Sequence, residues 1–380
     1  MQHIVIISTS YPTTQDGSEA AGSFVADFAQ QLAQQVRVSV IAPSLQTSRE
    51  QVHDNLKIYR FQVPILPLSS LKPHYPHHWA KILTTLKAGE QTLENLAKTE
   101  KIDHIFALWV LPSGYWAQRV GKQFQIPYST WALGSDIWSL GKIPVLKTWL
   151  KSVLRTSQVN FADGYLLKTS VEQLSQQTCH FLPSTRQLTI GKIKQLATQP
   201  PYKFAFLGRW HPNKGIDILL DSLAQLTDHD WEKIAAIQIC GGGILANQVE
   251  KMVKKLQQRG LPITLRGYLN KSEAIGLFTW ADLVFLPSRI ESIPVVFSDA
   301  MKCRCPIISM PVGDLPRLLF DYQVGVVAKT VSAPAFTSAI RDMLTHTPQE
   351  FAEELGRAAQ DFSLEQAVTT FLQIISAREV

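Results

Sequence analysis

Residues 203–226 read KFAFLGRWHPNKGIDILLDSLAQL, and this stretch decides the fold. Its opening KFAFL has the apolar character of a buried parallel strand, while IDILLDSLAQL spaces its apolar residues as an amphipathic helix does. The stretch therefore predicts a strand, a loop and a helix. In an α/β protein such a loop lies at the carboxyl end of the strand, where ligands bind.

The same succession recurs on both sides of this stretch. Strands are predicted before it at IVIIS, VRVSVIAP, IFALWVL and IPYSTWAL, and after it at IAAIQIC, ITLRGYL, LVFLP and PIISM. Alternating strands and helices indicate parallel sheets, and 380 residues exceed the size of one ordinary core. We therefore expect an α/β protein with two Rossmann-like domains that face each other across a central cleft.

A proline- and threonine-rich segment at 184–201, STRQLTIGKIKQLATQPP, separates the two series and is typical of a linker. The expected domains are 1–185 and 186–350, followed by carboxyl-terminal helices within 351–380. The last helix, from about Leu364 to Ser376, is amphipathic. Its spacing leaves open whether it packs on its own half or on the other.

The bulk composition is that of a soluble globular protein, with 45% hydrophobic and 18% charged residues. The start, MQHIVIISTSYP, has no basic leader, and no apolar stretch approaches the length that spans a bilayer. Neither a signal peptide nor a transmembrane helix is predicted. The 4 cysteines form no C-x-x-C pair and are expected to be buried core residues, which fits a cytoplasmic location.

Three histidines that could bind a metal ion lie close together in the segment KPHYPHHWAK, namely His74, His77 and His78. No Cys or acid lies beside them, and prolines flank them, so a surface loop is the favoured interpretation. No metal ion or other cofactor is expected.

The net charge of +6 is unevenly distributed along the chain. Residues 1–190 contain 17 Lys and Arg against 12 Asp and Glu, whereas the remaining residues contain 20 against 19. A basic half indicates an anionic partner, either a nucleic acid or a membrane surface. Because the chain lacks RGG, RNP-type aromatic and zinc-finger patterns, no nucleic-acid partner is expected.

The segment PVLKTWLKSVLRT, residues 144–156, predicts a basic amphipathic helix. One half of its helical wheel is apolar and one border is basic; the apolar residues are Val145, Leu146, Trp149, Leu150, Val153 and Leu154, and the basic ones are Lys147, Lys151 and Arg155. Helices of this kind lie on anionic membranes. A helix that faces the core and exposes its lysines is the commoner alternative.

Two cations, Arg209 and Lys214, lie in the loop of the opening stretch, ahead of a helix whose first backbone N–H groups are free. Two cations and a helix amino terminus make a suitable site for a diphosphate. The alternative is a surface loop with ordinary charges. The strand–loop–helix context favours the binding site.

Two glycine-rich turns follow strands in this sequence. CGGG ends a strand at 240–243, and DGSEAAG follows the first strand and contains Gly17 and Gly22. Glycines let a backbone approach a ligand, although tight turns use them equally often. Neither turn has the G-x-G-x-x-G spacing of a dinucleotide-binding loop, which argues against an NAD enzyme.

Residues 286–306, LPSRIESIPVVFSDAMKCRCP, carry Glu291 and Asp299, eight residues apart. Pro294 suits the first helical position, so Glu291 is expected just outside a helix and Asp299 about 7.5 Å along its axis. A nucleotide sugar, with hydroxyls at both ends and a diphosphate between them, would satisfy both acids. The alternative is an acid near a helix start with a solvated partner. Further donor contacts are expected at the helix mouth from Ser292, Ile293 and Val295, and in the first half of the chain from Gly17 and Gly22.

These motifs together resemble the family 4 retaining glycosyltransferases of the GT-B fold. The second half contains that family's motifs in order, namely GRWHPNKG, the GGG turn, RGYL, LPSRIESIPVVFSDAM, CPII, PVGDLP and GVV. The first half looks like the family's first domain at IISTSYP, GSFVADFAQQLA, LWVLPSG and LGSDIW.

The resemblance implies transfer of a sugar from a nucleotide donor to a glycan or lipid-linked acceptor, with retained anomeric configuration and no metal ion. It implies a role in making a cell-surface polysaccharide or glycolipid at the inner face of the membrane. The family's last helix commonly crosses back to the first domain, so residues near 360–380 are candidates to do so.

The resemblance also implies roles for single residues. Arg209 and Lys214 resemble the cations that neutralise the leaving diphosphate. Glu291 resembles the first acid of the family's E-x7-E pair, which meets the donor sugar, and Asp299 takes the place of the second acid at the ribose. The base would be held, largely by backbone, at Tyr268 and Leu269, and the acceptor side corresponds to Leu133, Gly134 and Asp136.

Three departures from the family pattern bear on function. Asp299 is one methylene shorter than the usual Glu, Leu108 and Leu133 stand where the family has histidines, and Arg304 stands where a glycine normally ends the helix. The leucines motivate an alternative, a nucleotide-sugar-binding scaffold without catalysis. A third hypothesis is an enzyme that epimerises nucleotide sugars on the same fold.

Overall fold

The computed structural model describes residues 1–12, 19–192 and 194–377. The chain divides into two compact units, the first formed by Met1–Arg186 with Leu364–Val380 and the second by Gln187–Ser363. The segment expected at 351–380 is therefore divided between the units after Ser363. Among the described residues, no helix combines the length and the apolar character needed to cross a bilayer.

The first unit contains a sheet and helices that alternate along the chain. Its strands are β1 (His3–Ser8), β2 (Arg37–Ser44), β3 (Ser48–His53), β4 (Leu56–Gln62), β5 (His104–Leu108), β6 (Tyr128–Ala132), β7 (Val159–Ala162) and β8 (Cys179–Phe181). The helices between them are α1 (Glu19–Leu32), α2 (Trp79–Thr99), α3 (Ser113–Phe124), α4 (Ser135–Trp138), α5 (Pro144–Thr156) and α6 (Tyr165–Ser175).

The strands of this unit lie in the order β3-β4-β2-β1-β5-β6-β7-β8, and only the β3–β4 pair is antiparallel. Every residue of β1 is buried, as expected for a central parallel strand covered on both faces. Every residue of the edge strand β3 is exposed, and its sequence SREQVH is correspondingly polar. The predicted strand IFALWVL is shorter than expected, because the chain turns at Trp109, where φ is 61°.

The second unit repeats the alternation. Its strands are β9 (Tyr202–Leu207), β10 (Ile234–Cys240), β11 (Ile263–Arg266), β12 (Leu283–Leu286), β13 (Ile307–Ser309) and β14 (Gly325–Val327). Its helices are α7 (Ile216–Ala224), α8 (Asp228–Trp231), α9 (Ala246–Gln258), α10 (Lys271–Trp280), α11 (Val295–Lys302), α12 (Leu315–Tyr322), α13 (Ala333–Met343) and α14 (Ala352–Asp361).

All neighbours in this second sheet are parallel, and the order is β11-β10-β9-β12-β13-β14. Numbered along the chain, this is the 3-2-1-4-5-6 order of a Rossmann sheet. The order reverses between β9 and β12, and in folds of this kind ligands bind outside the carboxyl ends of the strands at the reversal point. In the first unit the corresponding reversal lies between β1 and β5.

The last helix, α15 (Leu364–Ser376), has the predicted bounds and belongs to the first unit. Its Phe371 is buried, with its ring centroid 4.3 Å from that of Phe106 and 5.7 Å from that of Phe28. The preceding helix, α14, packs in the second unit, where Phe362 lies 5.1 Å from Phe297 between ring centroids. The amphipathic character of α15 thus completes the core of the amino-terminal sheet.

Candidate functional site

Two loops at the reversal point of the second sheet bring together the residues that the sequence predicts to be catalytic. The loop after β9 is residues 208–215, here the Lys214 loop, and the loop after β12 is residues 287–294, here the Glu291 loop. Strands β9 and β12 are hydrogen-bonded neighbours, with Val284 opposite Ala205. Both loops therefore leave the sheet at the same edge, where α/β proteins bind ligands.

A salt bridge joins these loops. Lys214 Nζ donates a short hydrogen bond to Glu291 Oε1, and Ser288 Oγ donates to the same oxygen at 2.9 Å. The Lys214 side chain is 28% exposed and that of Glu291 11%, so the pair lies partly open to solvent. The carboxylate that was predicted to need a ligand has a cation of its own chain as partner. A ligand that enters here meets a cation and an acid already in contact.

Two glycines allow the loops to approach this closely. Gly215 has φ +64°, and a Cβ there would lie 1.9 Å from the Pro287 carbonyl oxygen. Gly313, with φ +55°, would place a Cβ 2.3 Å from the Glu291 carbonyl oxygen. Any larger residue at either position would push a backbone segment away. The signal in the sequence was the K-G step at the end of GRWHPNKG, which marks a left-handed turn before a helix.

Arg209 is placed in the Lys214 loop with an exposed side chain. Its guanidinium has no ion-pair or hydrogen-bond partner among residues 1–12, 19–192 and 194–377. An exposed, uncompensated cation next to a salt-bridged one suits an anion that carries more than one negative charge.

The GGG turn packs against the Lys214 loop. Gly241 has φ +143°, and a Cβ there would lie 1.9 Å from the Gly208 carbonyl oxygen. At Gly242 a Cβ would lie 2.7 Å from Cε2 of Tyr268, whose ring is 63% exposed and rests on this turn. Leu269, beside it, is half-buried. Both residues follow β11 directly, because that strand ends at Arg266 and not at the expected Leu269.

The helix mouth differs from the prediction by one residue. Pro294 is the N-cap, with φ −71° and ψ 141°, and Val295 is the first helical residue of α11. Ile293 is buried, and so is Ser292, whose Oγ has no hydrogen-bond partner within the described chain. The mouth therefore presents a free hydroxyl and the first amides of α11.

Asp299 lies in the second turn of α11 with a fully buried side chain. Glu291 and Asp299 thus differ in environment, one partly open and the other enclosed in its unit. Asp299 offers no exposed surface to a ligand, and its contact with a ribose stays a prediction.

The first unit contains five residues that the sequence predicts for the site. Gly17 lies outside the described residues. Gly22 is in α1, where a Cβ would lie 2.9 Å from Cα of Tyr11, so this glycine brings α1 close to the segment after β1. In the structure Gly22 therefore faces the backbone of Tyr11 and Pro12.

Asp136 is a buried structural acid in this structure. Its carboxylate accepts hydrogen bonds from the backbone N–H groups of Val110 at 2.7 Å, Leu133 at 3.2 Å and Ile137 at 3.2 Å. Burial raises the pKa of Asp136 to about 6, against the opposing effect of these bonds. Asp136 therefore ties the loop after β5 to the loop after β6 rather than facing solvent.

The two leucines that stand in the place of family histidines differ in environment. Leu108 is fully buried at the end of β5, and Leu133 is half-buried after β6. Gly134, next to Leu133, has φ +100° and starts the short helix α4. Of these residues, Leu133 is the one that keeps exposed surface.

Sequence reasoning missed Arg289, which joins the Glu291 loop to the Lys214 loop and to the start of α7. Its guanidinium makes a bidentate pair with Asp217, with Nη1–Oδ1 at 2.8 Å and Nη2–Oδ2 at 2.6 Å. The two residues are 72 positions apart, and no role was predicted for either of them. Its only signal was a charged residue between two motif positions, Ser288 and Glu291.

Helix α5 is amphipathic as predicted, but one part of its apolar half is buried and another part is exposed. Leu150, Val153 and Leu154 are buried in the core of the first unit. Val145 is 64% and Trp149 41% exposed, beside exposed Lys147 and Arg155. The Trp149 ring stacks on Tyr115 of α3, with centroids 5.6 Å apart.

Comparison with known proteins shows that the chain is similar to glycosyl transferases. Residues 191–362 match the family model described as Glycosyl transferases group 1. A D-inositol 3-phosphate glycosyltransferase of Corynebacterium aurimucosum is 28% identical over 185 residues, 48% of this chain and 44% of that protein. An uncharacterized glycosyltransferase of Methanocaldococcus jannaschii is 23% identical over 272 residues, covering 71% of this chain and 73% of the relative. The chain spans less than half the length of the first of these relatives.

Solved structures resemble the chain over nearly its whole length. A sucrose-phosphate synthase from Thermosynechococcus elongatus has a TM-score of 0.75 at 16% identity, covering 99% of both chains. HepE of Anabaena, solved in complex with UDP and glucose, has a TM-score of 0.70 at 16% identity and covers 99% of this chain and 100% of its own. At these identities the likeness shows the fold, and it confirms the expected GT-B class with two Rossmann-like units.

Proposed function

We propose that the protein transfers a sugar from a nucleotide-sugar donor, with retention of the anomeric configuration, on the premise that the match of residues 191–362 to the group 1 glycosyl transferases extends to function. The observation that carries the proposal is the Lys214–Glu291 salt bridge at the reversal point of the second sheet. A donor has a diphosphate and sugar hydroxyls next to each other, which matches a cation and an acid held side by side.

The proposed chemistry rests on stabilisation of the leaving group. When the bond between the anomeric carbon and the diphosphate breaks, negative charge develops on the departing phosphate oxygen. Arg209 and Lys214 would neutralise this charge, and the first amides of α11 would add a positive dipole end. These groups supply the charge that a metal ion supplies elsewhere, so the proposed reaction needs no metal ion or other cofactor. Glu291 would accept hydrogen bonds from the donor sugar.

The nucleoside part of the donor has a proposed place beside the GGG turn. The exposed Tyr268 side chain lies next to Gly242, and Leu269 follows Tyr268 in the chain. Ser292, whose buried hydroxyl is free within the described chain, would donate to the donor from the helix mouth. Among the named relatives, HepE was solved with UDP and glucose. We extend this nucleotide class, and a ribose contact to Asp299, to the present chain as part of the proposal.

The proposed acceptor is a glycan or a lipid-linked molecule of cell-surface polysaccharide or glycolipid synthesis, reached from the cytoplasmic face of the membrane. Exposed Val145 and Trp149 beside Lys147 and Arg155 support peripheral contact with an anionic membrane through 144–156. Apolar side chains that enter the interface, flanked by cations that meet acidic headgroups, are what such a contact requires.

A nucleotide panel tests the donor proposal. Purified protein is heated with UDP, GDP and ADP and their glucose or mannose conjugates, and at least one is expected to raise the melting temperature. Radiolabelled donor is then followed into product with a panel of glycan and lipid acceptors. Arg209→Ala should abolish transfer and leave the melting temperature of the free protein unchanged. Absence of any nucleotide effect would overturn the proposal.

The same assay separates the two alternatives. A binding scaffold would be stabilised by a nucleotide but would neither transfer nor hydrolyse the donor. An epimerase would convert the donor sugar with no acceptor present. Recovery of a product with the donor's anomeric configuration, read by NMR, identifies retaining transfer.

Membrane contact is tested by sedimentation with vesicles. The protein should sediment with phosphatidylglycerol vesicles and stay in solution with phosphatidylcholine vesicles. A Val145→Ser, Trp149→Ser double variant should lose this sedimentation, whereas Thr148→Ser, on the same exposed surface, should keep it. Equal sedimentation of the double variant and the parent would remove 144–156 as the contact.

A further inference from the structure

Within the described part of the chain, Arg289 makes four polar contacts, to the Lys214 loop and to the start of α7. Besides the two bonds to Asp217, its Nη1 donates to the Pro212 carbonyl oxygen at 2.6 Å. Its backbone N–H donates to the Asn213 carbonyl oxygen at 2.8 Å. Asp217 lies in the first turn of α7, and Pro212–Lys214 is the short turn that carries the Lys214 ammonium.

These contacts join the two sides of the site through one residue. Arg289 is two positions before Glu291 in the Glu291 loop. Its partners lie on both sides of Lys214 in the chain, before it in the Lys214 loop and after it at the start of α7. The Gly215–Pro287 approach brings the backbones together at the same place. Any shift of the Arg289 side chain would therefore move Lys214 and Glu291 relative to each other.

We propose that Arg289 and Asp217 are positioning residues that hold Lys214 and Glu291 in the geometry that receives the donor. This inference rests on the proposed function for the identity of the ligand. The planar guanidinium matches a carboxylate with two parallel bonds, and a lysine cannot reproduce that fork. Groups held in place before the ligand arrives do not have to be ordered when it binds, which favours both affinity and rate.

A direct role of Arg289 in binding the donor fits the structure less well. Nη1 is already shared between Asp217 and Pro212, and Nη2 is taken by Asp217. Burial raises the pKa of Asp217, but its hydrogen bonds to Arg289 and the charge of that guanidinium outweigh burial and bring the pKa below its ordinary value. Asp217 is therefore a fixed anion that competes with any phosphate for this arginine.

The second unit offers a matched control. Arg341 donates to Asp230 at 2.9 Å and to the Gln225 carbonyl oxygen at 2.9 Å, so it too combines a carboxylate with a backbone carbonyl. It lies in α13, away from both loops. Arg341→Gln removes a comparable interaction without touching the site.

The test combines hydrogen exchange with nucleotide affinity. In Arg289→Gln and in Asp217→Asn, amide exchange at 208–217 and 287–293 should rise, and the Kd of the best-bound nucleoside diphosphate among UDP, GDP and ADP should increase at least tenfold, which is about 1.4 kcal/mol. The double variant Arg289→Gln, Asp217→Asn should have no higher Kd and no faster exchange than either single variant, since all three remove the Arg289–Asp217 contact. Arg341→Gln should change neither quantity. Arg289→Lys, which keeps the charge and loses the fork, should fall between the parent and Arg289→Gln, and it serves if the glutamine variant fails to fold.

Two outcomes would overturn the positioning role. One is parental exchange at 208–217 in Arg289→Lys and Arg289→Gln. The other is faster exchange in these variants with unchanged nucleotide affinity. If the parent binds no nucleoside diphosphate, the proposed function fails, whereas the exchange data still decide whether Arg289 couples the two loops.

Discussion

Lys214 and Glu291 form a salt bridge across the reversal point of a parallel sheet, although they are 77 residues apart in the chain. The motifs predict one as a cation for a phosphate and the other as an acid for a sugar. Their contact means that the charge of each is partly compensated before a ligand arrives. Under the proposed function, a donor diphosphate would compete with Glu291 for the ammonium of Lys214, and the carboxylate would meet the sugar.

The first prediction concerns this pair. Lys214→Ala should lower kcat/KM for sugar transfer by about 10²–10³-fold, because charge on the leaving diphosphate loses a fixed donor. Unfolding stability should change by only about 0–1 kcal/mol, since the pair is partly exposed. Glu291→Gln should also slow transfer while its hydrogen bond from Ser288 remains possible.

A double-mutant cycle checks whether the two act as one unit. The combined variant should lose less activity than the product of the single losses. Lys254→Ala, at an exposed position of α9, is the control and should behave as the parent. Losses that multiply independently would show that the salt bridge has no role in transfer.

Much of the second unit was predictable, because its signals are local. Strand and helix periods, the K-G step and the GGG turn each mark one segment, and their order places the loops after β9 and β12 at one edge. The Arg289–Asp217 contact was not predictable, since it joins residues 72 positions apart that carry no pattern. The burial of Asp136 was not predictable either. The motif LGSDIW suggests an accessible acid, whereas in the structure backbone amides of Val110 and Leu133 donate to its buried carboxylate.

Helix α5 and helix α15 show a second limit. Both have a clear apolar face, but the spacing of apolar residues does not show which part of the protein packs against that face. For α15 the answer is the ring cluster around Phe106. For α5 the buried residues begin at Leu150, and Val145 and Trp149 remain exposed.

The second prediction concerns Arg304, which follows α11 with φ 56°. Its side chain donates to the Ala352 carbonyl oxygen at 3.2 Å, so it joins α11 to α14. A non-glycine residue in this conformation costs about 1 kcal/mol. Arg304→Ala should destabilise the protein by losing the bond and keeping the strain, while Arg304→Gly should be about 1 kcal/mol more stable than Arg304→Ala. Urea denaturation measures the difference, and equal stability of the two variants would contradict the account.

The third prediction concerns His104, a fully buried residue of β5 whose Nε2 lies 2.8 Å from Ser129 Oγ. Burial lowers its pKa from 6.5 to about 3. Between these values the unfolded chain takes up a proton that the folded chain does not. The contribution of His104 to the free energy of unfolding is therefore fully present above pH 6.5. It is lost as the pH falls below that value, with a limiting slope of about 1.4 kcal/mol per pH unit. His104→Asn should remove that slope.

Asp136 works in the opposite direction and must be separated from His104. Its folded pKa of about 6 lies above its ordinary 3.8, so its contribution is present below pH 3.8 and is lost as the pH rises toward 6. The parent curve contains both effects. For this reason the measurement is the difference between His104→Asn and the parent, by urea denaturation at pH 7, 6, 5 and 4. A constant difference across this range would be inconsistent with a neutral buried His104.

The fourth prediction concerns Phe371 in α15. Its buried ring contacts Phe28, Phe106 and Phe161, with centroids 4.3 to 5.7 Å away. Phe371→Ala should cost about 3–5 kcal/mol in the first unit because it leaves a cavity in the core. Phe320→Ala, at a ring that is 81% exposed on α12, should cost little. Near-UV circular dichroism during denaturation measures both, and equal costs would argue against α15 as a core element.

The fifth prediction compares two glycines of the second unit that differ in backbone conformation and in what surrounds them. Gly215 has φ +64°, and a Cβ there would lie 1.9 Å from the Pro287 carbonyl oxygen, whereas a Cβ at Gly276 in α10 meets no atom within 4 Å. Gly276→Ala should stabilise the protein by about 0.5–1 kcal/mol, because alanine has less freedom in the unfolded chain. Gly215→Ala should destabilise it and separate the Lys214 loop from the Glu291 loop. Since that separation moves Lys214 away from Glu291, nucleotide affinity should fall in Gly215→Ala and stay at the parent value in Gly276→Ala, as measured by calorimetry. Unchanged affinity in Gly215→Ala would mean that donor binding does not require the two loops to be in contact.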